Sequence, residues 1–175
     1  TYHSNAIEGN KLSMDDVRAI LSGNFEPEYA SYRDVLETRS HADAMRETFF
    51  PVCRDTEILE TDLKMFHRVF FTPFDRREAG AWRTQPVYVR TSTGWKEFPD
   101  YRKIQNLVSE TFSELGRLDC GRSPLERAAL LHFRIVSIHP FVDGNGRSVR
   151  FLSAAAAVQG GCSPVYIPVE SRKEY

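Results

Sequence analysis

Two helix signals and the connection between them constrain the C-terminal half of this chain more than any other feature. The sequence SPLE at 123–126 offers a serine N-cap, a proline at the first helical position and a glutamate at the third, so a helix is predicted to begin there. It is expected to run to about Ile138. A second helix is predicted from about Asn145 through an alanine run to Gly160-Gly161. The residues between these helices must therefore form a short, tight connection.

Most of the remaining chain also has apolar side chains at helical spacing. Four further helices are predicted: one opened by a Ser13–Asp16 capping box and ended by Gly23, one over 28–50 and stopped by Pro51, one capped by Thr56 and running to Phe70, and one capped by Asp100 and running to about Leu115. The predicted fold class is mainly α, in one domain.

Residues 84–98 are instead rich in β-forming side chains and predict a hairpin. Val87, Tyr88 and Val89 precede a Thr-Ser-Thr-Gly turn, and Trp95 follows it. Pro86 has no N–H to donate to a neighbouring strand, so this strand is expected to lie at an edge. An exposed edge can accept a strand from another polypeptide, although a hairpin without a partner fits the local pattern equally well.

Composition places the chain among ordinary globular proteins and argues against several classes of partner. The net charge is −1 over 175 residues, which gives no general attraction to nucleic acid or to an anionic membrane. No apolar run reaches the length of a membrane span, and no secretory signal is visible. The three cysteines show neither metal-ligand spacing nor a disulfide framework, which favours a cytoplasmic protein. Because the chain begins at Thr1 without a methionine, we expect a fragment of a longer protein.

The connection itself reads HPFVDGNGRSVR from His139 to Arg150 and carries more charge than a turn needs. An EF-hand calcium loop fails, because with Asp143 as first ligand the sixth position is Ser148 instead of glycine and the twelfth is Ala154 instead of glutamate. A Walker-type phosphate loop fails because no Gly-Lys-Ser/Thr follows. Gly-Asn-Gly alone would serve as a plain turn. The flanking histidine, aspartate and arginines favour a functional site.

The start of the last predicted helix has the properties of an anion site. The backbone N–H groups of Gly144, Asn145 and Gly146 lie where the helix begins, so they can form a concave nest that the helix dipole reinforces. Arg147 and Arg150 are spaced i, i+3 and share one face of the first turn, where they can clamp consecutive phosphates. A polyphosphate is therefore the predicted ligand.

Asp143 and His139 add a cation and a base to this prediction. A carboxylate beside a phosphate is repelled unless a cation bridges them, and Mg²⁺ does so with one carboxylate, phosphate oxygens and water. The usual pKa of histidine, about 6.5, suits a general base at neutral pH. The stretch therefore predicts a magnesium–polyphosphate site with a base for an incoming hydroxyl.

At these residues the chain resembles the Fic domain family, with every defining position of the family signature filled between His139 and Arg150. The helix over 127–138, the hairpin "flap" that begins at 80–90 and the segment SPVYIP at 163–168 are also similar to that family. The resemblance implies a compact helical bundle with one β-hairpin flap at about 80–98 and a catalytic loop at 139–150, within a core domain over 13–175.

The resemblance also implies an activity, the transfer of AMP from ATP to a Ser, Thr or Tyr hydroxyl of a target protein. The implied roles are His139 as base for that hydroxyl, Asp143 as ligand of Mg²⁺, Asn145 with the Gly144 and Gly146 amides at the α-phosphate, Arg147 at the pyrophosphate, Arg150 at the γ-phosphate, and Val87, Tyr88, Val89 and Arg90 as the dock for the target. The identity of the target and the presence of a homo-oligomer are left open.

Residues 1–12 carry a second short pattern, Ser4-Asn-Ala-Ile-Glu8-Gly. Alone it is typical of a helical turn that ends at Gly9. Beside a Fic core it resembles the family's inhibitory helix, which implies that Glu8 pairs with Arg150 and displaces the γ-phosphate from that arginine. The same glutamate supports the reverse reaction, removal of AMP from a target. A nucleotide-binding regulatory module with little turnover is a further alternative.

Three other polar residues are expected to be structural or simply solvated. His132 and His67 should pack within or beside the core. Arg83, at the base of the hairpin, either braces the flap or keeps its charge in solvent.

Overall fold

The computed structural model describes residues 1–23, 29–54, 57–91, 94–117 and 121–175. Helices dominate this part of the chain, as the sequence predicts. The α-helices are α1 Tyr2–Ile7, α2 Met14–Leu21, α3 Tyr32–Arg54, α4 Glu60–Phe71, α5 Ile104–Arg117, α6 Pro124–Ile138 and α7 Asn145–Gln159. Strands β1 Tyr88–Thr91 and β2 Gly94–Glu97 pair antiparallel, and short 3-10 helices lie at Tyr101–Lys103 and Val169–Lys173.

Helix α7 is the centre of the bundle, and most of its side chains are buried. It packs along α6, crosses α3 and α4, and touches α1. Val149 and Leu152 of α7 are fully buried in the same apolar cluster as Phe66 of α4 and Ile135 of α6. Because the core holds α7 on several sides, the N-terminal end of α7 is a rigid place on which to build a site.

Three helix starts follow their predicted capping residues. The Ser123 hydroxyl accepts the Glu126 N–H at 3.3 Å, and the Glu126 carboxylate accepts the Ser123 N–H at 2.7 Å. Ser13 and Asp16 exchange the same two bonds at the start of α2. Asp100 accepts the N–H of Arg102 at 3.0 Å, before the turn that leads into α5. These bonds satisfy donors that a helix start leaves unpaired, so local sequence sets these boundaries.

The predicted stop at Pro51 is wrong, because α3 continues through this residue to Arg54. The proline falls in the last turn of the helix and is exposed, so only a terminal hydrogen bond is lost. The neighbouring Val52 is fully buried in the core, and its carbonyl accepts a bond from Gln159 at 2.8 Å. Tertiary packing therefore outweighs the local signal. The helix begins at Tyr32, later than predicted, and residue 28 lies outside the described part of the chain.

The predicted start of the next helix is also displaced. Helix α4 begins at Glu60, because the carboxylate of Asp62 accepts the N–H of Leu59 at 2.7 Å and caps the helix there. Thr56, the predicted cap, lies outside the described residues.

The hairpin agrees with the prediction from the sequence. Tyr88 lies opposite Glu97 and Arg90 opposite Trp95, and Val87 comes directly before β1. Residues 92–93 of the predicted turn lie outside the described part of the chain. Within the described residues the sheet has these two strands, so each strand keeps one edge unpaired.

None of the described helices has both the length and the apolar content that a bilayer span requires. Cys53 and Cys162 are free thiols, and Cys120 lies outside the described residues.

His132 connects α6 to α7 and to the C-terminal segment. Its Nδ1 lies 2.8 Å from the Ser153 hydroxyl, and its Nε2 lies 2.8 Å from the Tyr175 hydroxyl. Burial, reinforced by the charge of Arg150, lowers the pKa of His132 to about 4. The expected structural role is consistent with these contacts.

This lowered pKa predicts an acid-sensitive contribution to stability. The unfolded chain takes up a proton on His132 near pH ~6.5, whereas the folded chain does so only near pH 4. The contribution of His132 to the free energy of unfolding is therefore fully present above pH ~6.5 and is lost as the pH falls from there toward 4. Between pH ~7 and ~5, His132→Gln should lose about 2 kcal/mol less of its unfolding free energy than the parent. Urea unfolding at both pH values measures this difference. Equal losses in the two proteins would contradict it.

Candidate active site

His139 ends helix α6 in a left-handed backbone conformation, with φ of 53°. Among the described residues it is the one non-glycine with a positive φ. Its N–H still donates to Ile135 at 3.0 Å, so the helix is completed before the chain turns away. Such backbone conformations are uncommon for residues with a side chain and persist where surrounding contacts hold them.

The imidazole of His139 stacks on Phe98, at the end of the hairpin, with ring centroids 4.0 Å apart. Burial lowers the pKa of His139 to about 4, and the nearby Val136 carbonyl raises it by less. The buried Nδ1 is close to that carbonyl without meeting hydrogen-bond geometry. The imidazole is therefore neutral at pH ~7, the form that can accept a proton.

Asn145 closes the connection between α6 and α7 with its side chain. The amide oxygen accepts the Phe141 N–H at 2.9 Å, and the amide nitrogen donates to the Phe141 carbonyl at 2.8 Å. Asn145 is 2% exposed, and Phe141 is fully buried. Because the Asn145 side chain is used within the loop, its backbone N–H is the group that remains for an anion.

The two glycines beside Asn145 are required by close neighbours. Gly144 has φ of +75°, and a Cβ there would lie 3.1 Å from Phe70 and 3.3 Å from His67. A Cβ on Gly146 would lie 2.1 Å from Oε1 of Glu8 and 3.0 Å from Nη1 of Arg150. No side chain caps the start of α7. The first turn of α7 therefore presents bare backbone, the geometry that an anion nest needs.

Arg147 is almost fully buried at 3% exposure and pairs with two carboxylates. Its Nη1 lies 3.3 Å from Glu37 of α3, and its Nη2 lies 3.4 Å from Asp143. Its guanidinium also lies over the ring of Phe70, 4.4 Å from the centroid. The packing holds this charge at the start of α7, where the sequence predicts it.

Arg150 is bound by the N-terminal helix. Its Nη2 donates to the Glu8 carboxylate at 2.7 Å and to the Ser4 carbonyl at 2.8 Å, and its Nε donates to the Ser4 hydroxyl at 3.0 Å. Nη1 lies 3.3 Å from the Tyr175 hydroxyl. The pair between Glu8 and Arg150 joins residues 142 positions apart, so the fold brings together the two partners that the family resemblance implies.

Asp143 is the one predicted cation ligand of the loop. Its side chain is 47% exposed, and its carboxylate contacts Arg147 and Arg33, each at 3.4 Å, and the Gly144 N–H at 2.6 Å. Among the described residues, no group of three or more His, Cys, Asp or Glu side chains could hold a metal ion. A single accessible carboxylate fits Mg²⁺ only where phosphate oxygens and water complete the coordination.

A pocket of about 550 Å³ unites the loop with the hairpin. Glu8, His139, Asp143 and Gly144 to Gly146 line it from below, and Val87, Tyr88 and Val89 line it from the hairpin. Arg90 lies outside this lining, and Arg147 and Arg150 are buried beside it. The sequence-predicted residues thus gather around one site, with Arg90 at its margin.

Two buried residues, His67 and Glu37, support this site through contacts that the sequence did not predict. His67 accepts the Gly80 N–H on Nδ1 at 2.9 Å, so its Nε2 carries the proton and donates to the Asp143 carbonyl at 3.0 Å. It also stacks on Phe141 at 3.7 Å. Burial lowers the pKa of His67 to about 4, which keeps this arrangement at neutral pH. No spacing in the sequence links His67 to the loop.

Glu37 was missed entirely. It is 7% exposed, and its carboxylate contacts Arg147 at 3.3 Å, Arg33 at 3.1 Å and the Asn10 amide at 3.3 Å. A buried acid within a predicted amphipathic helix is the only signal that the sequence offers. Glu37 therefore joins the N-terminal segment, α3 and Arg147 at the start of α7 in one network.

Comparisons with known proteins agree with this geometry. The model of the Fic/DOC family matches residues 55–157, more than half of the chain. Protein adenylyltransferase fic-1 of Caenorhabditis elegans is 36% identical over 181 residues, which cover 99% of this chain and 34% of the relative. Protein adenylyltransferase Fic of Nematostella vectensis is 32% identical over 176 residues, which cover 99% and 40%. The chain thus spans about a third of the length of the curated relatives it matches.

Solved structures show the same fold. A Fic domain containing signaling protein from Bacteroides thetaiotaomicron superposes with a TM-score of 0.91 at 26% identity, over 99% of this chain and 66% of that one. Fic-1 from Caenorhabditis elegans superposes with a TM-score of 0.81 at 32% identity, over 99% and 51%. The family match and the fold together show that this chain belongs to the Fic/DOC family.

Proposed function

We propose that this domain transfers AMP from ATP to a hydroxyl group of a protein. The observation that carries the proposal is the pocket in which His139, Asp143 and the bare first turn of α7 lie beside strand β1, which keeps one edge unpaired within the described residues. The relatives named protein adenylyltransferase support the same activity. A buried cationic helix start with a neutral histidine beside it suits transfer of a nucleotidyl group, because such catalysis depends on positioning and charge neutralisation.

Each residue around the pocket is assigned one part of this transfer. His139 takes the proton of the target hydroxyl while that oxygen attacks the α-phosphorus of ATP and pyrophosphate leaves. The N–H groups of Gly144, Asn145 and Gly146 donate to the α-phosphate oxygens. Arg147 neutralises charge on the departing pyrophosphate.

Mg²⁺ is proposed as the cofactor of this site, held by Asp143 together with the phosphates. Bound there, it would neutralise charge on the phosphate oxygens. Asp143 would then exchange its present contacts with Arg33 and Arg147 for the ion, while both arginines would keep their contacts with Glu37.

Residues 1–12 are proposed as an inhibitory segment on the core domain 13–175. The Glu8 carboxylate lies against Gly146 and holds Arg150, the proposed partner of the γ-phosphate. A carboxylate in that position removes a cation from the phosphate and adds a negative charge beside it. Ser4 strengthens the arrangement through its two bonds to Arg150.

The target protein is proposed to bind as a strand added to β1. Tyr88 and Val89 are exposed on this strand, at 53% and 41%, and Val87 leads into it along the pocket. Backbone bonds to a strand edge align a peptide without demanding a particular sequence. Arg90, outside the pocket lining, would contact the target side chains.

The reaction class is tested by labelling ATP at two positions. Incubation of the Glu8→Gly domain with ATP labelled on the α-phosphate should transfer the label to protein, whereas ATP labelled on the γ-phosphate should not. EDTA should abolish the transfer, and added Mg²⁺ should restore it. Label from the γ-phosphate on protein would instead indicate a kinase, and protein without label from either ATP would contradict the proposed transfer.

Removal of AMP from a modified target is a second candidate, favoured by one observation. The Glu8 carboxylate faces the pocket beside His139 and is 34% exposed, so it can also orient a water molecule. Release of AMP from a pre-modified protein, lost in Glu8→Gln, would support this activity. ATP binding without either reaction would indicate a regulatory nucleotide-binding module.

A further inference from the structure

Arg83 is a buried arginine whose partners are backbone carbonyls. It is 2% exposed, although the sequence left open a solvated charge at this position. Its Nε donates to the carbonyl of His139 at 2.8 Å, its Nη1 to that of Gln85 at 2.9 Å and its Nη2 to that of Pro99 at 2.6 Å. Its own backbone N–H donates to Pro140 at 2.9 Å. Every nitrogen of the guanidinium is therefore engaged.

The three carbonyls belong to places that are far apart in the sequence. Gln85 precedes β1, and Pro99 follows β2, so Arg83 joins the two ends of the hairpin. His139 belongs to the loop between α6 and α7. One side chain thus ties both roots of the hairpin to the backbone of the proposed base.

The ring of His139 is held from the same direction. Phe98, the residue before Pro99, stacks on the imidazole at 4.0 Å with an interplanar angle of 20°. The His139 backbone has φ of 53°, a conformation that external contacts must maintain. The bonds of Arg83 to His139 and Pro140 and the stack of Phe98 supply such contacts.

We propose that Arg83 is a positioning residue that fixes the orientation of His139 relative to the hairpin, so that the strand edge and the base form one rigid unit. A target aligned on β1 would then present its hydroxyl to an imidazole whose place is set by the same hairpin. The effect on catalysis rests on the proposed function, whereas the effect on the His139 ring does not.

The chemistry of arginine suits this task. A guanidinium offers five N–H donors in a planar fork, so it can bond to three carbonyls from different directions. Lysine keeps the charge but concentrates its donors at one atom, and it cannot span the same three acceptors. Arg83→Lys therefore separates the geometry of the fork from its charge, and Arg83→Met removes both.

The test compares these two variants in the Glu8→Gly protein, with Arg134→Met as control. Arg134 is a suitable control because it is an arginine on α6, the helix that ends at His139. Its guanidinium pairs with Glu114 near the surface. Both Arg83 variants should lower kcat for AMP transfer about 100-fold, the cost of a small misplacement of a catalytic group, with KM for ATP unchanged. The control should keep the parent kcat.

A second readout needs no activity. In protein labelled at histidine, the ring protons of His139, assigned by their loss in His139→Ala, should be shifted upfield in the parent by the stacked ring of Phe98. In Arg83→Lys this upfield shift should decrease, whereas the signals of His132 should stay in place. Thermal unfolding shows whether each variant is folded. If Arg83→Met does not fold, the comparison rests on Arg83→Lys.

The outcomes separate this proposal from the proposed function. Unchanged His139 signals and an unchanged kcat in folded Arg83→Lys would overturn the positioning role, which would leave Arg83 as a brace for stability alone. If the His139 ring is displaced in Arg83→Lys while the parent shows no AMP transfer, the positioning role is supported and the proposed reaction is overturned. A loss confined to KM for ATP would also overturn the positioning of His139.

Discussion

Glu8→Gly is expected to raise AMP incorporation into protein by roughly 10- to 100-fold at matched ATP and Mg²⁺ concentrations. The gain follows from one charge-assisted bond, because Glu8 holds Nη2 of Arg150 at 2.7 Å where the γ-phosphate is proposed to bind. A charge-assisted hydrogen bond contributes about 1.5–3 kcal/mol. Because Glu8 and the γ-phosphate are proposed to compete for Arg150, the loss of that bond should raise the rate of AMP transfer by the stated factor. Incorporation of label from the α-phosphate of ATP measures the change.

Two further variants make this expectation specific. Glu8→Gln keeps the shape of the side chain without its negative charge and should produce an intermediate gain. Glu57→Gly, a change of the same type at an exposed residue that does not line the pocket, should leave incorporation at the parent level. An equal gain in Glu57→Gly, or none in Glu8→Gly, would contradict inhibition by the pair between Glu8 and Arg150.

His139→Ala in the Glu8→Gly protein is expected to lower AMP transfer by about 10²- to 10⁴-fold, the usual contribution of a positioned general base. The loss should appear in kcat, because the proposed phosphate contacts lie on the backbone of Gly144–Gly146 and on Arg147 rather than on the imidazole. ATP binding in the presence of Mg²⁺, measured by calorimetry, should therefore stay close to that of the parent. The neutral state of His139 at pH ~7 follows from its lowered pKa of about 4.

His132→Gln provides the matched control for this substitution. His132 lies on the same helix and also has a pKa lowered to about 4, but it bonds to Ser153 and Tyr175 away from the pocket. It should retain AMP transfer within about threefold, because neither His132 nor its two partners line the pocket that contains His139. Transfer by His139→Ala at the level of this control would show that another group takes the proton.

The groups of the loop over 139–150, and the two partners of the Glu8–Arg150 pair, can be recognised in the sequence. The residues from His139 to Arg150 are close in the chain, so their chemistry can be inferred from spacing alone. The caps at Ser13, Asp100 and Ser123 act within three residues, and each determines a helix start. The donor and acceptor of each cap are only two or three residues apart, so these hydrogen bonds depend on local sequence and can be predicted from it.

Local signals fail where distant contacts outweigh them. Pro51 is a stop signal by its own chemistry, yet α3 passes through it because the burial of Val52 holds the last turn against the core. Losing one terminal hydrogen bond costs less than exposing a buried valine, so packing decides. The sequence around Pro51 does not indicate that Val52 is buried, so it could not predict that the helix continues.

The sequence by itself determined which chemical groups this protein has at the site and which helices carry them. Only the tertiary structure decided their supports: His67 and Glu37 approach the loop from α4 and α3, and Arg83 reaches both roots of the hairpin. The contacts of His67 with Asp143, of Glu37 with Arg147 and of Arg83 with His139 join residues that lie tens of positions apart, and no periodicity or capping pattern in the sequence indicates them. Their physical cause is the burial of polar groups, which must find partners wherever the folded chain brings them.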